Sequence, residues 1–197
     1  MNLPVTIYAE STPNPSAMKF VANIPLIEEG VVEYSNPADA SASPLAMQLF
    51  SFSGIKGVFI TSNFITLTKE EGIDWFDITN ILREFIRSYL ASGEKLFTSN
   101  PFSNSKAEVP EAKTPGDSND AELEAKIIGM LEDYVKPAVE QDGGAIHFRS
   151  FSNGVVTVAL KGSCSGCPSS TITLKSGIEN LFKKMMPDEV KSVEAIG

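Results

Sequence analysis

The side chains best suited to chemistry are Cys164 and Cys167, the only two cysteines in a chain of 197 residues. They sit in the glycine-rich stretch GSCSGCPSS, which leads into a helix-like segment. Two thiols separated by two residues can supply half of a tetrahedral metal site, or they can form a redox disulfide. Gly162 and Gly166 let the backbone bend tightly and bring amide N–H groups towards the sulfurs. A helix starting just after the pair adds positive partial charge, which favours thiolate over thiol. Pro168 suits the first turn of that helix and fixes the exit from the loop. Soft thiolates select zinc, copper(I) or iron–sulfur centres.

The ligand count shapes the possibilities. A mononuclear zinc site within one chain needs two more ligands; His147, the single histidine, can supply one, and nothing obvious supplies the fourth. A thioredoxin-like reading wants a cis-proline loop and a larger βαβ fold, whereas here the spacer is Ser165-Gly166 and little chain follows Cys167. A dimer that pools two cysteines per chain forms a four-thiolate site, which suits either zinc or an iron–sulfur cluster.

The elements that must position this loop fall into two modules. Residues 99–119, SNPFSNSKAEVPEAKTPGDSN, hold three prolines and few large apolar groups. Such a segment cannot bury enough surface to offset its ordering entropy and reads as a flexible linker spanning roughly 25 Å. It separates residues 1–98 from residues 120–197. In the first module, strands are expected at Val5–Tyr8, Ala17–Ala22 and Val31–Tyr34. A short helix should run from Pro44 to Phe52, and a hairpin should join Gly57–Thr61 to Phe64–Thr68 through Ser62-Asn63. Ile78, Ile81, Leu82, Phe85, Ile86 and Tyr89 follow the spacing of one helix face, with Asp74 as N-cap and Gly93 as stop. Two helices should therefore cover an antiparallel sheet.

In the second module, Leu123, Ile127, Met130, Leu131, Tyr134 and Val135 mark an amphipathic helix that Pro137 ends or kinks. Asp142-Gly143-Gly144 reads as a turn. Ala145–Phe151 and Val155–Leu160 read as strands joined by Asn153-Gly154, a strong hairpin signal. Ile178, Leu181, Phe182 and Met185 mark a helix over about 169–186, and Val190–Ile196 should form a last strand reached by a crossover. The fold class is α+β: two small domains joined by a linker, the second in the order helix–strand–strand–helix–strand.

Composition narrows the function classes. The formal net charge is -9. Residues 1–98 carry 11 acids against 6 bases and residues 120–197 carry 11 against 8, so neither half is a hidden basic module. Nucleic-acid binding, which rewards clustered Lys and Arg, is not expected. No apolar run reaches membrane-spanning length. MNLPVTIYAE lacks both a secretory h-region and the Arg-rich character of a transit peptide, so the expected setting is cytoplasmic.

The stretch VEQDGGAIHFRSFSNGVVTVALKGSCSGCPSSTITLKSGIENLFKKMMPDEVKSVEAI closely resembles the C-terminal domain of NifU and the Nfu iron–sulfur proteins. It shares the DGG turn, the cysteine loop, the TLKSGIEN helix and the final VKSVEAI strand. Through TPNPSAMKF and GVFITSNFITLTK, residues 5–92 resemble the Nfu N-terminal domain. The resemblance implies a non-enzymatic scaffold or carrier. Such a protein holds a [4Fe–4S] cluster, or else a [2Fe–2S] cluster, at a homodimer interface, and Cys164 and Cys167 of each chain are the ligands. It implies apo-proteins as recipients and an upstream assembly scaffold as a partner, and it requires no catalytic base. Three other readings stay open: a thiol–disulfide oxidoreductase, a zinc-bridged structural dimer, and an interaction module with incidental cysteines.

Other residues carry bland readings beside functional ones. His147, flanked by Ile146 and Phe148 on an alternating strand, reads as an exposed or hydrogen-bonded surface histidine rather than a ligand. The Asp142–Gly144 turn either approaches the cluster or simply needs positive φ at a glycine. Ser163, Ser165, Ser169 and Ser170 can bond the sulfurs or cap the helix, with Ser169 or Ser170 expected to cap. Phe76, Phe85 and Tyr89 read as a core stripe, Trp75 as a helix-start residue that can also anchor a partner, and Asn14 with Met18-Lys19-Phe20 as a turn and core strand.

Overall fold

A computed structural model describes residues 4–99, 101, 118–165 and 168–196, with the side chains of 118–121 and 168–170 excepted. The chain forms two compact units, Met1–Ala107 and Glu108–Gly197. Almost all of the expected linker, 99–119, lies outside the described residues. Mixed helices and strands in both units make the fold α+β, as expected.

The first unit is a five-stranded antiparallel sheet, β1 (Ile7–Ser11), β2 (Ala17–Ala22), β3 (Val31–Tyr34), β4 (Ile55–Thr61) and β5 (Phe64–Lys69), in the order β1-β2-β5-β4-β3. Helices α1 (Pro44–Phe50) and α2 (Trp75–Ser92) pack against it. Ser43 caps α1 by accepting from the Ala46 N–H, and Pro44 takes the first helical position, where its missing donor costs nothing. Asp74 accepts from the Phe76 N–H at the start of α2, and Gly93 closes its end in the left-handed region. Leu82, Ile86 and Tyr89 then bury against Phe20, Leu49, Ile60, Ile65 and Leu67. Ile81 is exposed, so it stands at the edge of the stripe rather than in it. Phe76, 87% exposed, is no part of the core stripe, whereas Phe85 packs edge-on to Phe52 at 5.0 Å. Trp75 is tied down by its indole N–H, which donates to the Pro15 carbonyl at 3.1 Å. Asn14 holds the preceding turn by accepting from the Ser16 N–H, and Phe20 is fully buried, in line with the turn and core-strand reading.

The second unit is a three-stranded sheet, β6 (Gly144–Ser152), β7 (Val155–Gly162) and β8 (Ser192–Ile196), with β6 antiparallel and β8 parallel to β7. Asn153 and Gly154 both have positive φ, 54° and 84°, which gives the hairpin turn the hand that matches strand twist. Helix α5 (Pro168–Met185) makes the crossover from β7 to β8.

Pro137 does not end the preceding helix. Helix α3 (Ser118–Met130) passes through one π-helical segment, Leu131–Val135, into α4 (Lys136–Gln141). There the Lys136 N–H donates to the carbonyl of Leu131, five residues back. The wider turn accommodates a proline that lacks a donor and would clash with the carbonyl four residues earlier. It also sets the phase. The buried residues are Ile127, Leu131, Val135 and Val139, each four apart, and Tyr134 is turned outward, 60% exposed. These residues pack with Ile146, Val158, Leu160, Ile178, Phe182 and Val193 in one core. At the end of α5 it is Met186 that buries; Met185 is exposed.

Candidate metal centre

Cys164 is placed by three features of the chain around it. Strand β7 ends at Gly162, which has a φ of 68°, and the Ser165 N–H donates back to the Gly162 carbonyl at 3.1 Å, so the chain turns sharply at the cysteine. Pro168 is the first residue of α5, as expected, and the cysteine loop therefore joins a strand end to a helix start. Cys164 is buried, 4% exposed, and belongs to the second unit's apolar core. Gly166 and Cys167 lie outside the described residues, as do the side chains of Ser169 and Ser170 expected to cap the helix.

The wall behind Cys164 is the Asp142–Gly144 turn. Asp142 and Gly143 follow the end of α4, their N–H groups donating to the carbonyls of Ala138 at 3.1 Å and Glu140 at 3.0 Å. Their own carbonyls accept from the cysteine loop: the Ser163 hydroxyl donates to Asp142, and the Ser163 N–H donates to Gly143 at 3.2 Å. Ser163 Oγ also lies 3.7 Å from Cys164 Sγ. The two glycines serve different needs. Gly143 has a φ of 82°, a conformation glycine adopts freely. Gly144 provides space: a Cβ there would lie 2.7 Å from the Lys161 carbonyl oxygen and 2.8 Å from Cys164 Sγ.

His147 is not near this arrangement. It pairs with Ala159 in the middle of the β6–β7 ladder, three residues beyond Gly144, or about 10 Å along the strand. Its neighbour Ile146 faces the core that holds Cys164, so His147 faces the other side of the sheet. The expectation of an exposed or hydrogen-bonded histidine is corrected. His147 is half-buried, and its Nε2 is shielded from water with no hydrogen-bond partner among the described residues. Burial pushes its pKa below the ordinary value, and the positive charges of Lys161, Arg149 and Lys136 push it the same way. Among the described residues, no group of three or more His, Cys, Asp or Glu side chains is arranged to hold a metal ion.

Sequence reasoning placed the cysteines at a strand–helix junction and offered the Asp142–Gly144 turn as one that approaches the cluster, but it did not single out Gly144 as the space behind Cys164 or the Asp142 carbonyl as an acceptor for Ser163. The signal was present as two glycine-rich stretches, DGG at the start of β6 and GSCSG at the end of β7, which antiparallel pairing brings to the same end of the ladder. A hairpin register counted back from Asn153-Gly154 brings Gly144 opposite Gly162.

This is the architecture of a two-unit α+β protein with a cysteine loop at a strand–helix junction. Residues 7–93 match the family model described as scaffold protein Nfu/NifU N terminal, and residues 127–194 match the NifU-like domain. The chain is 39% identical over 191 residues to the human NFU1 iron-sulfur cluster scaffold homolog, mitochondrial, covering 96% of this chain and 71% of that protein. It is 37% identical over 190 residues to NifU-like protein 4, mitochondrial, of Arabidopsis thaliana, covering 95% of this chain and 65% of that one. The chain thus spans about two thirds of the length of these relatives. A solution structure of a NifU-like protein from Saccharomyces cerevisiae is similar at a TM-score of 0.45 and 24% identity, over 51% of this chain and 92% of that one. The chain belongs to the Nfu/NifU family of scaffold proteins. The relatives overturn the cytoplasmic expectation: those from human, Arabidopsis and Drosophila are named as mitochondrial and point there instead. Targeting segments are removable leaders outside the folded domains, so the make-up of a folded domain's first strand is no guide to compartment.

Proposed function

We propose that this protein is an iron–sulfur cluster scaffold or carrier. Cys164 and Cys167 of two chains together hold one cluster, [4Fe–4S] in preference to [2Fe–2S], and the cluster is cargo that passes to apo-proteins. An upstream assembly scaffold supplies it. The observation that carries this reading is the position of the CxxC pair: it lies within the region matching the NifU-like domain, in a chain whose relatives are named iron-sulfur cluster scaffolds. The ligand count supports the two-chain site, since one chain has two cysteines and four thiolates complete a cluster. Separating the chains halves the coordination, which suits a cluster that must be released.

We take the domains as 1–98, a linker at 99–119, and 120–197, with cluster binding assigned to the last and recipient contact to the first. Full-length protein reconstituted anaerobically with iron and sulfide tests the ligands. The wild type is expected to turn brown with about four irons and four sulfides per dimer. Cys164→Ser and Cys167→Ser should each lose that absorption. A Cys164→Ser protein that keeps a full cluster would remove the ligand assignment. Deleting residues 1–98 should impair transfer to a recipient and leave cluster binding intact; loss of binding would reverse the roles of the domains.

A further inference from the structure

The geometry points to Gly144 and Ser163 as positioning residues for Cys164, which together hold its sulfur in a slot behind the cysteine loop. The inference deepens the proposed cluster role and rests on it for the meaning of Cys164, though not for the slot itself. A thiol in a turn ordinarily samples several rotamers. Here Sγ occupies the place where a side chain at position 144 would begin, 2.8 Å from an added Cβ, with Cys164 Cβ at 3.3 Å. Gly144 has no positive φ, so its backbone accepts any residue and its need for glycine is one of volume alone. On the chain's near side, Ser163 is buried and locked by two hydrogen bonds to the Asp142–Gly144 turn, one from its hydroxyl and one from its N–H. That lock carries Cys164 with it, because the two residues are adjacent and Ser163 Oγ lies 3.7 Å from Sγ. The α4–β6 turn and the Ser163-Cys164 segment therefore behave as one piece. A cluster ligand on that piece starts from one position, and less ordering remains to be done when it binds.

The test uses full-length protein in a Cys167→Ser background, where Cys164 is the single thiol. Its rate of alkylation by iodoacetamide is compared with that of Gly144→Ala and Ser163→Ala in the same background. Reactivity of a buried thiol follows its exposure, so Gly144→Ala should raise the rate by about tenfold or more and Ser163→Ala by a smaller factor. In chains that keep both cysteines, Gly144→Ala should also lower iron and sulfide bound per dimer. An unchanged alkylation rate overturns the slot. A raised rate with undiminished iron and sulfide overturns its role in cluster binding. If Gly144→Ala fails to fold, Ser163→Ala in the Cys167→Ser background, which adds no bulk, decides the matter: a raised alkylation rate supports the slot and an unchanged rate overturns it. Should Cys164→Ser keep a full cluster, the functional reading fails while the alkylation rates still report on the slot.

Discussion

Strand β6 begins and ends in a glycine turn, and the two turns do different work. Asn153-Gly154, at its far end, needs glycine chiefly for conformation: φ is positive at both residues and the turn joins β6 to β7, while an added Cβ at 154 meets the flexible Lys191 side chain at 3.0 Å and the Glu189 carbonyl oxygen at 3.2 Å, less tightly than at 144. Gly144, at its near end, needs glycine for room, because the next atoms outward are the Lys161 carbonyl oxygen and Cys164 Sγ. A conformational glycine is written in its immediate neighbours. A volume glycine is written in a residue 20 positions away, and only the pairing of β6 with β7 brings the two together.

Substitutions at the two turns separate these roles. The largest effect is expected for Gly144→Val, whose branched side chain meets a backbone carbonyl and a core cysteine; overpacking there should cost about 3 kcal/mol, read as a lower urea midpoint for the second unit. Gly154→Ala comes next. Its strain in the left-handed region should cost about 1–2 kcal/mol, with the alkylation rate of Cys164 unchanged. If both turns altered Cys164 equally, the division between room and conformation would be wrong. Ser163→Ala should cost about 0.5–1.5 kcal/mol through one lost hydrogen bond, and should speed alkylation although it adds no bulk. Asn153→Gly should fall within about 0.5 kcal/mol, since glycine takes the same φ.

The opposite face of β6 carries a further check. His147 has a folded-state pKa below its unfolded one, so below that unfolded value the unfolded chain binds the extra proton. The second unit should therefore lose stability as pH falls from about 6.5 towards the folded pKa. His147→Gln should flatten that part of the urea-midpoint profile; an unchanged profile would assign the acid sensitivity to other groups.

Much of the fold was legible in the chain. Asp74 and Gly93 bracket α2 because caps are local chemistry, and Asn153-Gly154 locates its hairpin for the same reason. What was misread depends on phase. A regular 3.6-residue repeat places Tyr134 in the core, but the π-helical turn before Pro137 makes the buried spacing four and turns Tyr134 out. Met185 and Met186 trade places at the end of α5: Met186, one residue past the helix, keeps a helical bond from its N–H to the Phe182 carbonyl and is buried, whereas Met185 is exposed. Phe76 reads as apolar and lies in the first turn of α2, where Trp75 and Ile78 pack on the core and Phe76 points to solvent. The cysteines were legible as a pair and the Asp142–Gly144 turn as one that approaches them; its hold on Ser163 was not, because the Ser163 hydroxyl and N–H donate to carbonyls 21 and 20 residues back in the chain.

The central claim is one cluster shared by two chains. Mass spectrometry of the intact reconstituted protein under native conditions, alongside the same protein stripped by a chelator, tests it most directly. The account predicts a dimer carrying a single cluster, which falls to apo chains without bound iron or sulfide once the cluster is removed. A monomer carrying a complete cluster, or a dimer bridged by zinc without sulfide, would contradict it.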